Sequence, residues 1–412
     1  MNILITGAQL GNKGAESMLY ITVDELRKRF PDCTLYFSTV EKYNFDSYRF
    51  NCFRMTGRNV KLALGGFPSL TILPKSILFD IAKIIIGRWH RLGHYFDTLR
   101  YFKFIDVIVD VSGFSIGTQW SRGTHEYYLD RIELAKKNSV PVYLMPQSFG
   151  PFDFNSKFDD IKERLNSLLR YPRIIFAREQ TGYDSLINNF NLDNVIMSPD
   201  LVLQNKGIDW KNVFTSEPVI NVPKVNLRKA VGIVPNIQCF KYQDKELLLN
   251  TYFSVIEQLV RDGFNVVIFR HSREDIDICV KLKNAFASDN RVVLESKELS
   301  CLEYNEYVKN FCFIICSRYH GIVHAYKNGI PSVILGWAEK YAALAKSVNQ
   351  EKYAFDVRNN MLDKKSIIQA VKEMSARYSE ESMTIQRALE EIQKENCFDI
   401  MEKDLRSIRD FK

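Results

Sequence analysis

No CxxC pair occurs among the eight cysteines (33, 52, 239, 279, 301, 312, 316 and 397), so a tight disulfide framework is not expected. Cys312 and Cys316 stand inside the apolar run FCFIIC, the setting of a buried free thiol. The opening MNILITG lacks a charged stretch ahead of an apolar one and reads as a first strand, not a leader. No uncharged apolar run reaches the ~18 residues that a membrane-spanning helix requires. Repeats of fixed period and low-complexity segments are missing as well. These absences exclude a disulfide scaffold, a membrane span and a solenoid. A soluble protein of the reducing cytoplasm is what they leave.

What is present is ordinary globular composition, with 46% hydrophobic and 25% charged residues over 412 positions. At roughly 100–200 residues per domain, that length holds two to four domains. Twenty-eight Phe and twenty Tyr suffice for sizeable cores with some left for a binding surface. Lys plus Arg less Asp plus Glu is 56 − 49 = +7. So mild a basic excess suits anionic substrates or a membrane surface and is too diffuse to argue for nucleic acid.

Short apolar runs alternate with helical patterns along the whole chain. The runs are NILIT (2–6), CTLYF (33–37), FIDVIVD (104–110), PVYLM (141–145), RIIFA (173–177) and NVIM (194–197) in the first half. After a stretch with few helix signals they resume as AVGIV (230–234), NVVIF (265–269), RVVLE (291–295), CFIIC (312–316) and PSVIL (331–335). Helical stretches fall at 15–29, 125–137, 156–170, from about Gln180, and at 244–261. Val- and Ile-rich strands alternating with helices predict parallel sheets covered on both faces. The expected fold class is α/β, with two Rossmann-like domains facing each other across a cleft and C-terminal helices packing back. The expected divisions are 1–205, a linker at 206–229, 230–375, and a helical tail at 376–412. One segment breaks the pattern: KSILFDIAKIIIGRWHRLGHYF (75–96) interleaves Ile, Leu and Trp with Lys75, Lys83, Arg88 and Arg91. Such a basic amphipathic helix can lie on an anionic membrane surface, or serve as a domain helix with a charged outer face.

Ligands of open α/β sheets bind beyond the carboxyl ends of the strands. Here those exits are GAQLGNKGAES (7–17), SGFS (112–115), PQSFGPF (146–152), REQTG (178–182), RHSRED (270–275), SRYHG (317–321) and GWAEKY (336–341). So many Gly, Pro and ionic side chains at strand ends point to an active-site cleft. The first loop does not match GxGxxG and lacks the GK[ST] of a phosphate loop, so neither dinucleotide binding nor kinase chemistry is supported. SRYHG places Arg318, Tyr319 and His320 at a helix N-terminus, where the dipole and free N–H groups favour an anion. Arg offers a planar fork to carboxylate or phosphate, and His can move a proton near neutral pH. Arg178 at the end of RIIFA supplies a second cation. His320 and His324 stand four apart, but HGIVH lacks the Glu of a zinc helix, so no metal site is expected. Asp110 closes a strand ahead of Ser112-Gly113, a position suited to accepting a hydroxyl proton. Asn12, Gly14, Glu16, Gln147, His271 and Lys340 are the secondary or acceptor-side candidates.

Taken in order, GNKGAESML, PQSFGPF, AREQTGYDSL, SPDLVL, GIVPN, SRYHGIVHAYKNGIPSVILG and EKY resemble the polysaccharide pyruvyl transferase family over about residues 2–345. The resemblance implies a two-domain GT-B enzyme that moves the enolpyruvyl group of phosphoenolpyruvate onto a sugar, giving a pyruvate ketal and phosphate. It also implies that Arg178, Arg318 and His320 serve the phosphoenolpyruvate site, with no cofactor. One departure is that DVSGFS stands where many members carry a triple Gly. On chemical grounds His320 is the general acid or phosphate-orienting group, and Asp110 the hydroxyl base. A lipid-linked sugar acceptor would bring the enzyme to the inner face of the membrane through 75–96. The alternatives are a GT-B nucleotide-sugar glycosyltransferase and a non-catalytic sugar-binding partner.

Overall fold

The computed structural model describes residues 1–8, 10–38, 50–55, 60–61, 63–65, 104–155, 158–225, 227–358 and 361–409. The basic segment 75–96 therefore lies outside the described residues.

The first sheet starts with β1 (Asn2–Thr6), whose Ile3, Leu4 and Ile5 are fully buried, as expected of a strand covered on both faces. Helix α1 (Lys13–Arg29) follows. Its Asn12 cap accepts hydrogen bonds from the Gly14 and Ala15 N–H groups, and Arg27, Lys28 and Arg29 complement the dipole in its last turn. Next come β2 (Thr34–Ser38), β3 (Phe53–Met55), β4 (Val107–Asp110), β5 (Phe114–Ile116), α2 (Arg122–Lys137) and β6 (Val142–Phe149). Then α3 (Asp159–Leu168), β7 (Ile174–Ala177), α4 (Gln180–Phe190) and β8 (Val195–Met197) complete this half. Strand order is β3-β2-β1-β4-β6-β7-β8, with β5 paired to β6. The stretch PQSF, expected as loop, instead prolongs β6 through a register shift between Leu144 and Gln147. Pro146 has no N–H to give the ladder, which accounts for the irregularity there.

Two short helices, α5 (Leu201–Gln204) and α6 (Trp210–Val213), lead to the second sheet. It contains β9 (Ala230–Val234), α7 (Lys245–Arg261), β10 (Asn265–Phe269), α8 (Ile276–Ala285), β11 (Val292–Glu295) and α9 (Cys301–Val308). After these come β12 (Phe313–Cys316), α10 (Tyr319–Lys327), β13 (Ser332–Gly336), α11 (Glu339–Ser347) and β14 (Ala354–Asp356). The order β11-β10-β9-β12-β13-β14 is that of a doubly wound dinucleotide-type sheet, and the strand pairs of both sheets are parallel. Strand order reverses between β1 and β4 and again between β9 and β12, so each sheet presents a crevice at that point.

Helix α12 (Lys364–Ile392) packs along α7, and the division drawn at 375/376 falls within it. Helix α13 (Cys397–Arg409) returns to the first sheet, where Tyr143 of β6 and Arg173 hydrogen-bond Asp404. One buried apolar cluster runs through both halves, joining Ile3 and Ile5 to Val234, Phe269, Ile322, Phe398 and Met401. Among the described residues no helix is long and apolar enough to cross a membrane.

Candidate active site

The carboxyl ends of both sheets open onto a cavity of about 890 Å³. The first sheet contributes Asn12 and Lys13 after β1, Ser112 to Ser115 after β4, and Arg178 after β7. From the second come Asn236 after β9, His271 after β10, Arg318 to His320 after β12, and Trp337, Lys340 and Tyr341 after β13.

The floor on the second side is the start of α10. Strand β12 is buried throughout, and Ser317 behind it is pinned by Tyr252 (2.7 Å, Oη to Oγ) and by Tyr341, which donates to its carbonyl (3.0 Å). Arg318 caps the helix without a side-chain cap bond, which leaves first-turn N–H groups facing the cavity. Its guanidinium is engaged elsewhere: Nε and Nη2 donate to the fully buried Asp275 at 2.9 and 2.6 Å, and Nη2 to Glu274 at 2.5 Å. Burial disfavours the charge, but those two carboxylates outweigh it and hold Arg318 firmly protonated. The fork expected to face phosphate is thus occupied by carboxylates. Arg178 is similarly held, donating to Asp200 (2.9 Å) and Ser148 (2.9 Å), with its guanidinium 4.2 Å above the Tyr319 ring.

His320 lies against α1 at a position that only glycine permits. A Cβ on Gly14 would sit 2.0 Å from His320 Cγ. Gly14 therefore acts by letting the helix approach the ring, not by lining the cavity. The His320 ring is driven well below its ordinary pKa by burial, then by Arg178 and Lys340, which keeps it neutral. His271 is neutral too, through burial and then Lys13. Nε2 of each ring is buried without a hydrogen-bond partner among the described residues. Both residues line the cavity, and a pair of unsatisfied imidazole nitrogens beside it marks it as a candidate ligand site, because buried polar atoms are otherwise satisfied.

Lys340 stands within an aromatic enclosure, with Nζ 4.5 Å from the Phe114 centroid, 5.3 Å from Tyr319 and 5.4 Å from Trp337. Burial, followed by Arg178, pushes its pKa down to about 7, with Glu179 opposing. Sequence reading had Lys340 but missed its aromatic walls, of which the nearby Trp337 and Tyr341 were local signs. It also passed over Lys13, dismissed along with the phosphate-loop motif around it. Lys13 Nζ donates to the His271 carbonyl at 2.5 Å and so bridges the two sheets across the cleft.

Four candidates do not line the cavity. Asp110 is 3% exposed; its carboxylate accepts from Thr6 Oγ1 (2.6 Å), the Ser112 N–H (3.1 Å) and Gln147 Nε2 (3.4 Å), with Arg131 at 3.7 Å. Gln147 is fully buried in that same network. Glu16 turns back to accept from the Gly11 N–H (3.0 Å), bracing the first loop. Gly14 is the fourth, for the reason given above. His324, the second histidine of HGIVH, points away from the cavity to Ser17 (3.0 Å) and Asn305 (3.2 Å). Among the described residues no cluster of three His, Cys, Asp or Glu could hold a metal.

Two doubly wound sheets with a cationic, aromatic-walled cleft at their switch points define a GT-B-like protein. Solved structures agree on the fold. UDP-GlcNAc 2-epimerase from Neisseria meningitidis bound to UDP-GlcNAc superposes with a TM-score of 0.58 at 14% identity, covering 99% of this chain and 100% of that one. S. aureus MnaA, solved with UDP, gives 0.53 at 13% identity over 93% and 91%, and the apo structure of OtsA gives 0.51 at 10% over 99% and 98%. Comparison with curated proteins gives no match. The chain belongs to the polysaccharide pyruvyl transferase family, whose model matches residues 12–339.

Proposed function

We propose that this transferase takes phosphoenolpyruvate as donor and closes a pyruvate ketal on two hydroxyls of a polysaccharide sugar, releasing phosphate. The observation behind this reading is the pairing of Lys340, caged and titrating at about 7, with the neutral His320 at the N-terminus of α10. Phosphoenolpyruvate brings a carboxylate and a phosphate into a site containing Lys13, Arg178 and Lys340. Burial is the main cause that depresses His320; the anions offset the second, the charges of Arg178 and Lys340, and so shift the imidazole toward its protonated form. His320 then protonates the methylene carbon while a sugar hydroxyl adds to C2. The hydroxyl proton passes to His271, which lines the cavity and whose Nε2 has no hydrogen-bond partner among the described residues, whereas Asp110 does not line it. Departure of phosphate leaves an oxocarbenium-like centre, and the second hydroxyl closes the ketal, its proton returning to the imidazole of His320. The acceptor sugar, lipid-linked in this reading, enters over Ser112 to Ser115 from the first sheet.

Thermal shift with phosphoenolpyruvate against UDP- and GDP-sugars, followed by phosphate release with a sugar acceptor panel, tests this. Stabilisation by phosphoenolpyruvate alone, lost in Lys340→Met, is the expected result. Stabilisation by a nucleotide sugar alone would replace the reading with glycosyl transfer.

A further inference from the structure

A second cavity, of about 300 Å³, lies on the far side of the contact between α1 and α10. Ser17 stands one turn beyond Lys13 and Gly14 on α1, and His324 one turn beyond His320 on α10, so the same two helices wall both cavities. The two are separated by the Gly14–His320 contact. The rear wall is completed by α9, the end of α5 and Trp210 of α6, placing the cavity between the two sheets.

Its polar lining is one-sided. Among the described residues that line it, Lys206, Lys309 and Lys327 stand against one carboxylate, Glu306, which is already paired with Lys309 at 2.6 Å. Lys327 is half-buried and makes one hydrogen bond among the described residues, to Asn205 Oδ1 at 2.9 Å, and no ion pair there. A sheltered ammonium with one neutral partner is costly unless an anion joins it. Burial draws its pKa down to about 8. Around it stand the carboxamides of Asn205, Asn305, Asn328 and Gln393 and the indole of Trp210. The carboxamides now bond one another and the walls (Asn328 Nδ2 to Asn305 Oδ1 at 3.1 Å, Asn305 Nδ2 to Glu306 at 3.1 Å, Gln393 Nε2 to the Leu203 carbonyl at 3.2 Å) and would exchange those bonds for vicinal hydroxyls. The volume is at the low end for small-molecule sites and suits a single sugar ring with one anionic group.

We propose that this rear cavity is a second ligand site taking a hydroxylated anion of the sugar-phosphate class, bound through Lys327 and the surrounding carboxamides. Because α1 belongs to the first sheet and α9 and α10 to the second, an occupant fastens the two halves together behind the cleft. It needs no particular donor chemistry in front, so it stands apart from the pyruvyl transfer reading.

The experiment titrates full-length protein with glucose 6-phosphate, glucose 1-phosphate and inorganic phosphate, following tryptophan fluorescence and calorimetry. Wild type, Lys327→Met, Asn305→Ala, Trp210→Phe and the cleft variant Lys340→Met are compared. Saturable binding of a sugar phosphate that survives in Lys340→Met, weakens about tenfold or more in Lys327→Met, and loses its fluorescence signal in Trp210→Phe is expected. If Lys327→Met fails to fold, Asn305→Ala carries the test through a rise in Kd for the sugar phosphate with that for inorganic phosphate unchanged. Binding abolished by Lys340→Met and untouched by Lys327→Met would put the ligand in the front cleft and overturn the proposal. So would the absence of saturable binding by both sugar phosphates.

Discussion

On the proposed reading, a caged lysine whose pKa burial lowers to about 7 makes phosphoenolpyruvate binding pH-dependent in a definite direction. Above pH 7 the free protein carries Lys340 neutral, while an anion favours the charged form, so binding takes up a proton. Phosphoenolpyruvate affinity is therefore expected to fall as pH rises from 7 to 9, and the slope to flatten in Lys340→Met. Calorimetry in buffers of different ionisation enthalpy reads both. His320→Ala should lower turnover by about 10²–10⁴-fold while leaving the fold intact. Asp110→Asn separates two roles. As the hub of a buried network it should cost about 1–3 kcal/mol in denaturant unfolding, with phosphoenolpyruvate binding nearly unchanged. A hundredfold loss of turnover at wild-type stability would restore it as the base. At this scale the sequence showed which residue types gather at strand exits but not which way each points. Arg318 looked like a free fork because Asp275, its partner, lies 43 positions away.

Elements were more legible than contacts. Eleven apolar runs marked out strands that the structure contains, because strands buried on both faces must be continuously apolar. What escaped were β3, β5 and β14, each three residues long, and the prolongation of β6 past Pro146. Three residues give no period to read. The meeting of α1 with α10 was equally invisible, since nothing local tells that Gly14 faces a histidine 306 positions on. Gly14→Ala is expected to force the helices apart, costing about 1–3 kcal/mol and most of the activity together. Gly207→Ala, with open space around its Cβ, is the matched control and should leave both unchanged. An active Gly14→Ala protein would mean that the two helices separate without consequence for His320.

Over the whole molecule, the C-terminal segment decides how the halves stay related. Helix α12 packs on the second sheet, and α13 crosses back to lie on α1 and β6 of the first. Its buried face, Cys397, Phe398, Met401 and Leu405, enters the apolar cluster that both sheets share. Asp404 fixes its far end through Tyr143 (2.6 Å) and Arg173 (2.7 Å), while Arg29 of α1 pairs with Asp399. The tail was expected to pack back; its amphipathic spacing shows that one face must be covered, and which sheet it would reach lies beyond such a pattern. The strap predicts a stability loss without a catalytic one. Phe398→Ala removes a ring that is 1% exposed and should cost about 3–5 kcal/mol. Donor affinity measured well below the lowered Tm should stay within about threefold of wild type, because α13 contributes nothing to the cleft lining. Should donor affinity collapse along with stability, α13 would instead be setting the approach of the two sheets. The same variant would then show a larger radius of gyration in solution scattering.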